Sequence, residues 1–185
     1  MFNILIILGE SASGKSTVQN ILCKSYGYER LITYTTRNPR EGEVDGIDYH
    51  FVSEDTFEEM YRNNAFCETA EYNGWHYATA KDDCTDNKVA VITPHGLRQI
   101  RKFDELTLVT CYINVPRRDR LIKILQRGDN IEEAYRRSLS DVGQFDGISD
   151  EVDTVIYNPE YKKSPEEVAV EIINRLGGAI KDGFQ

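Results

Sequence analysis

Gly9-Glu10-Ser11-Ala12-Ser13-Gly14-Lys15-Ser16 meets the spacing G-x-x-x-x-G-K-[ST] at every defined position. Each residue type has a physical reason to stand there. The glycines let the backbone wrap closely around phosphate oxygens, and successive N–H groups at a helix start form a nest for anions. Lys15 reaches the β- and γ-phosphates of a nucleoside triphosphate, and the Ser16 hydroxyl can ligate Mg2+. Gly9, Glu10, Ser11, Ala12, Ser13, Gly14, Lys15, Ser16 and Thr17 are therefore candidate ATP contacts, with Ser16 the candidate metal ligand. The flanks agree with the motif. Residues 4–8 are continuously apolar, the pattern of a strand buried on both faces, and residues 15–25 read as a helix.

Working outward, apolar runs at 89–92, 106–113 and 152–157 read as further core strands, separated by helices near 97–103 and 117–126. Strands alternating with helices imply right-handed βαβ units and a parallel sheet covered on both faces. The last helix has a start signal in Ser164, Pro165 and Glu167. Residues 33–80 break the rhythm. A short strand at 49–52, a helix start capped by Ser53, and strands at 66–72 and 75–77 joined by Asn73-Gly74 make a β-rich lobe. It is expected between the first and second core strands. Residues 126–147 form a second excursion, a candidate helical lid. The core is then 1–32, 81–125 and 148–185, in a single domain.

The chain has 185 residues, 40% of them hydrophobic, and a net charge of −9. That supports a packed core and argues against a nucleic acid polymer or an anionic membrane as partner. Basic residues are nevertheless concentrated locally: Arg37 and Arg40, then Arg117, Arg118, Arg120, Lys123, Arg127, Arg136 and Arg137. Cys23, Cys67, Cys84 and Cys111 are scattered without metal spacing, as expected of free thiols in the cytoplasm. The opening apolar run is too short to span a bilayer and lacks signal-peptide flanks. His50, His76 and His95 have no partner at triad spacing and read as structural or surface residues.

Residues 35–52 read TTRNPREGEVDGIDYHFV. Two guanidiniums in a compact loop, with tyrosine hydroxyls, suit a phosphate dianion that must be held rigidly in line with a γ-phosphate. This stretch resembles the acceptor-binding segment of guanylate kinases. The likeness continues through Phe66-Cys67-Glu68 and Gly74 to Tyr77 and Thr79, and with the phosphate loop covers about residues 4–103. The resemblance implies a three-layer α/β P-loop NTPase fold with an inserted acceptor lobe and a small lid. It implies phosphoryl transfer from ATP to GMP or dGMP with Mg2+, by a monomer or homodimer. By the same resemblance, Arg37, Arg40, Tyr49 and Tyr77 hold the acceptor phosphate, Glu43 orients the arginines or binds nearby, and Thr33 and Thr79 contact the base. Glu68 suits guanine, since a carboxylate accepts from both N1–H and the exocyclic amine. Lys15, Arg37 and the lid arginines Arg127 and Arg137 would act on the transferring group, and Asn158 would lie near adenine.

One position departs from the pattern. Where the family carries an acid, two residues, then Gly, this chain reads Thr93-Pro94-His95-Gly96. Thr93 would offer the base a neutral hydroxyl. The departure keeps open another nucleoside monophosphate or a phosphorylated sugar as acceptor. A non-catalytic binding module of the same fold and a regulatory P-loop ATPase are the readings from other classes.

Overall fold

The computed structural model describes residues 2–40, 42–72, 74–127 and 131–180. In chain order the elements are β1 (Phe2–Leu8), α1 (Lys15–Ser25), β2 (Glu29–Arg30), β3 (Tyr34–Thr35), β4 (His50–Phe51), α2 (Glu54–Arg62), β5 (Phe66–Tyr72) and β6 (Trp75–Ala80). There follow β7 (Lys88–Val91), α3 (Pro94–Ile100), β8 (Leu106–Asn114), α4 (Arg117–Arg127), α5 (Ile131–Ser140), β9 (Thr154–Tyr157) and α6 (Pro165–Ile180).

Strand β1 is the centre of a five-stranded parallel sheet in the order β2-β7-β1-β8-β9. Its side chains alternate between two buried faces, which is why the sequence shows no polar alternate. Leu5 and Ile7 pack under α1 and α6 against Val18, Leu22, Val168 and Ile172. Ile4, Ile6 and Leu8 face the opposite way, against Leu97 and Ile100 of α3, Cys67 of β5 and Cys84 in the connection between β6 and β7. Burial of each such leucine or isoleucine contributes about 1.5–3 kcal/mol. The second sheet, β4-β3-β6-β5, is mixed, with β5 and β6 an antiparallel pair whose register ends at Tyr72 opposite Trp75.

Several boundaries differ from expectation, each for a local reason. A core strand that the expected order lacked, β2, precedes the β-rich segment. Strand β2 is two polar residues paired to β7 at the sheet edge, too short to show any periodicity. Helix α3 begins at Pro94, before the expected 97, because the Thr93 hydroxyl accepts from Gly96 N at 3.1 Å and Pro94 takes the first helical position. Strand β9 starts at Thr154. The preceding Asp153 carboxylate is engaged with the Thr110 amide and hydroxyl. The expected cap of α6 is present as a reciprocal pair: Ser164 N donates to Glu167 Oε2 at 2.7 Å and Glu167 N to Ser164 Oγ at 3.2 Å.

The connection β7–α3–β8 passes over β1, so β1 ends between two strands whose links leave in different directions. A crevice opens outside the carboxyl ends of the strands at such a point. The loop at residues 9–16 lies there.

Candidate active site

The phosphate loop leaves β1 at Gly9. A Cβ there would stand 2.8 Å from the Ile113 carbonyl oxygen and 2.5 Å from Ser13 Oγ, so only glycine fits. Gly14 caps α1 with φ 92°, a left-handed turn that aims the following N–H groups into the crevice. Lys15 Nζ donates to the Glu10 carbonyl at 2.8 Å, folding back over the loop. Burial lowers its pKa to about 8, against the pull of the Asp141 and Glu10 carboxylates. Ser16 and Thr17 are exposed in the first turn of α1, Ala12 sits at φ 64°, and Ser13 is buried.

Gly9, Ser11 and Lys15 share one cleft of about 1130 Å³ with Thr33, Arg37, Arg40, Tyr49, Glu68, Tyr77 and Thr93. Within it Arg37 is held from several sides. Its Nη2 makes a forked ion pair with both Glu43 oxygens at 2.9 Å, and Nη1 donates to the Asn38 carbonyl at 2.7 Å. The guanidinium lies 5.4 Å from the Tyr49 ring centroid, and the Tyr77 hydroxyl is a further partner. Glu43 also accepts from Arg40 N at 2.7 Å. Burial works against this carboxylate, but the Arg40 amide and the Arg37 guanidinium prevail and hold its pKa below the usual range. Arg40 keeps an exposed side chain. Burial raises the pKa of Tyr49, whose ring meets Tyr77 edge-on at 6.0 Å.

Thr35, Thr36, Asp45 and Asp48 lie within residues 35–52 but act on backbone amides. Thr35 Oγ1 accepts from Arg37 N, and Thr36 Oγ1 accepts from His76 N. Asp45 accepts from Phe51 N at 2.8 Å and Asp48 from Val44 N at 2.9 Å.

At the far end, Glu68 is buried, 6% exposed, and accepts from Thr79 Oγ1 at 2.9 Å. Burial raises its pKa, and the Thr79 bond only partly counters that. A Cβ on Gly96 would come within 2.8 Å of Glu68 Oε2, so α3 can seat this carboxylate only with glycine there. Gln99 binds β5 through both ends of its amide, accepting from Thr69 N at 3.1 Å and donating to Thr69 O at 2.7 Å. Thr93 lines the cleft too, but its oxygen is engaged as the cap of α3. Thr33 accepts from His50 N through its carbonyl.

Other expected residues lie elsewhere. Asn158 is buried, and its amide pairs with the Lys163 backbone in both directions, at 3.0 and 2.9 Å. Arg127 closes α4 and Arg137 lies in α5, while their side chains, like all of Gly128, are outside the described residues.

A charged network beneath the loop was not visible in the sequence. Arg120, 6% exposed, donates through Nε to Val115 O at 3.0 Å and through Nη1 to Ser11 O at 3.2 Å. It also approaches Glu10 Oε1 and Asp141 Oδ2, each at 3.5 Å. Tyr112 OH donates to Glu10 Oε2 at 3.0 Å, and Ser11 N donates to Asp141 Oδ2 at 2.8 Å. The only sequence signal was that Arg120 belongs to a basic cluster. Nothing local marks Asp141, which is 130 positions from Ser11.

Comparison with known proteins adds the following. A sequence model described as guanylate kinase matches residues 1–175. A guanylate kinase of Neisseria meningitidis is 33% identical over 98% of this chain and 93% of its own length. One from Rubrobacter xylanophilus is 30% identical over 94% of each chain. A shorter match, 45% identical over 107 residues, spans 54% of this chain and 52% of the Lactobacillus johnsonii guanylate kinase. The crystal structure of guanylate kinase from Anaplasma phagocytophilum aligns with a TM-score of 0.68 at 25% identity, covering 97% of this chain and 86% of that one.

Proposed function

The chain belongs to the guanylate kinase family, and we propose that it transfers the γ-phosphoryl group of ATP directly to the phosphate of GMP or dGMP. The observation that carries this is one cleft lined by Lys15 of the phosphate loop together with Arg37 and Glu68. A pocket for one drug-sized ligand is about 300–1000 Å³, and this cleft of about 1130 Å³ suits two nucleotides end to end.

The chemistry follows from positions and charges. The loop amides and Lys15 hold the β- and γ-phosphates, and the ammonium follows the moving group. Arg37, fixed by Glu43 and Tyr49, with Arg40 and Tyr77, presents the acceptor phosphate oxygen in line. Glu68 accepts from guanine N1–H and the exocyclic amine while Thr79 fixes its other oxygen. Adenine offers no such pair of donors. We assign Arg127 and Arg137 to the transferring charge on the resemblance alone, and likewise Asn158 to the adenine end.

Mg2+ would rest on the Ser16 hydroxyl. Among the described residues there is no group of three or more His, Cys, Asp or Glu able to hold a metal. That fits a cation carried mainly by nucleotide phosphates and water, as Mg2+ commonly is. Bound there, it neutralises charge on the β- and γ-phosphates. The division into core, acceptor lobe (33–80) and lid (126–147), residence in the cytoplasm, and a monomeric or homodimeric state belong to the same proposal. No described helix is long and apolar enough to cross a membrane.

The deciding experiment is a coupled ADP-release assay with ATP, Mg2+ and a panel of nucleoside monophosphates and sugar phosphates. GMP and dGMP should give kcat/KM values at least about a hundredfold above AMP, the discrimination expected when buried polar groups are left unpaired by the wrong base. Equal rates with AMP, or turnover only on a sugar phosphate, would overturn the guanine assignment. ADP release independent of every acceptor would favour an ATPase.

A further inference from the structure

Asp141 is the first residue after α5, in a run of turns leading to the core. Its side chain is 16% exposed and lines the same cleft as Lys15. Oδ2 accepts from Ser11 N at 2.8 Å and lies 3.5 Å from the Arg120 guanidinium. One anionic oxygen thus bridges a phosphate-loop amide and a buried cation, which is what a phosphate oxygen does in such a loop.

The cation does not depend on Asp141 for its place. Arg120 is fixed by two backbone carbonyls, those of Val115 and Ser11, and by Glu10. Glu10 is fixed in turn by Tyr112. Asp141 is also the largest charge opposing the lowered pKa of Lys15. The carboxylate therefore stands among the groups that a nucleotide phosphate requires.

We infer that Asp141 is a resident competitor for the phosphate loop and sets how tightly this chain holds ATP. This rests on the assignment of residues 9–16 to ATP. Two anionic oxygens cannot share the Ser11 N–H, and a carboxylate beside a polyphosphate is repelled by it. ATP binding displaces Asp141 and carries the 141–147 turns away from the loop, leaving the fixed Arg120 to face phosphate. The affinity observed is the intrinsic one reduced by the fraction of molecules in which Asp141 has already withdrawn.

The test is titration calorimetry of the full chain with a non-hydrolysable ATP analogue, with and without Mg2+, for wild type, Asp141→Asn and Asp141→Ala. Removing the competitor should tighten analogue binding about threefold to tenfold in Asp141→Ala, with Asp141→Asn between, in both metal conditions. GMP affinity should move less than about twofold, since among the described residues Asp141 pairs with Ser11 and Arg120 and with none of Arg37, Arg40, Tyr49, Glu68 or Tyr77. A loop brace would behave oppositely, because its loss weakens binding. Unchanged or weaker analogue binding overturns the inference, as does weakening confined to the Mg2+ arm, which would make Asp141 a metal ligand. Asp141→Asn keeps a hydrogen-bond acceptor of the same shape and carries the test if the alanine variant does not fold. Failure of wild type to bind the analogue would instead refute the ATP site itself.

Discussion

In the phosphate loop the donors are backbone N–H groups, aimed by the chain path from β1 through Gly14 into α1. Across the cleft the working groups are side chains, and each needs others to hold it. Arg37 has Glu43, Asn38, Tyr49 and Tyr77, and Glu68 has Thr79 and the space left by Gly96. A backbone donor has few ways to be misplaced once the fold forms. A guanidinium on a flexible stem is worth little to a phosphate until its rotamers are fixed. The donor side should therefore fail by loss of charge, and the acceptor side by loss of support.

The largest effect expected on this contrast is at Lys15, a side-chain charge on the backbone-dominated side. Lys15→Ala should lower kcat about 10²–10³-fold, the cost of removing an electrostatic group used in the transition state. The GMP KM should stay within about threefold and the melting temperature should not fall, because desolvation already works against this half-buried ammonium and lowers its pKa. The sign of its pH dependence follows from the same fact. Only the protonated form assists, so kcat/KM for ATP should decline as pH rises through about 8, before an ordinary lysine would titrate. A variant retaining a tenth of wild-type turnover would show that the loop amides suffice without Lys15.

Legibility divides along the same line. The loop, the strand before it and the helix after it were readable because their determinants lie within residues 4–25, and α1 has the expected bounds. Arg37 and Glu68 were legible only through a long, chemically mixed stretch. What seats them, the Glu43 carboxylate and the space at Gly96, appears only when a turn closes or when α3 docks on β5. Arg120 showed only as one member of a basic cluster and Asp141 carried no signal, since their partners in the loop are 109 and 130 positions away. Short polar strands such as β2 and β3 were missed because two residues cannot display a period.

The second prediction probes the acceptor side at its best-buried group. Glu68→Gln should raise the GMP KM about tenfold to a hundredfold, as expected for loss of a charge-assisted pair worth about 1.5–3 kcal/mol, with the ATP KM unchanged. Burial also raises the wild-type carboxyl pKa. The recognising form is the carboxylate, present above that pKa. In wild type the GMP KM should thus climb as pH falls, beginning above the ordinary glutamate range, and in Glu68→Gln that limb should vanish. A limb that survives the substitution would assign it to another group, and the claim that one supported carboxylate reads the base would fail.

The smallest effect belongs to Thr93, which decides whether support and recognition are separate at all. Its hydroxyl oxygen caps α3 through Gly96 N, and α3 carries both Gly96 beneath Glu68 and Gln99 against Thr69. Removing an N-cap costs about 0.5–2 kcal/mol. Each kcal/mol corresponds to about 2–4 °C for a chain of this size. Thr93→Ala should therefore melt a few degrees lower, and Thr93→Ser and Thr93→Asp should recover most of that, since both can accept from Gly96 N. If Thr93 acts only through the helix, the GMP KM in Thr93→Ala should shift less than about threefold, in step with the slight loosening of Glu68. Thr93→Asp tests the same point from the other direction. One of its oxygens would cap the helix and the second would stand close to Glu68, where like charge raises that carboxyl pKa further. The acid limb for GMP should then begin at a higher pH than in wild type. An unchanged melting temperature in Thr93→Ala together with a tenfold rise in GMP KM would place Thr93 among the groups that touch the acceptor. The support and the contact would then be the same residue, and the contrast between the two sides of the cleft would not hold.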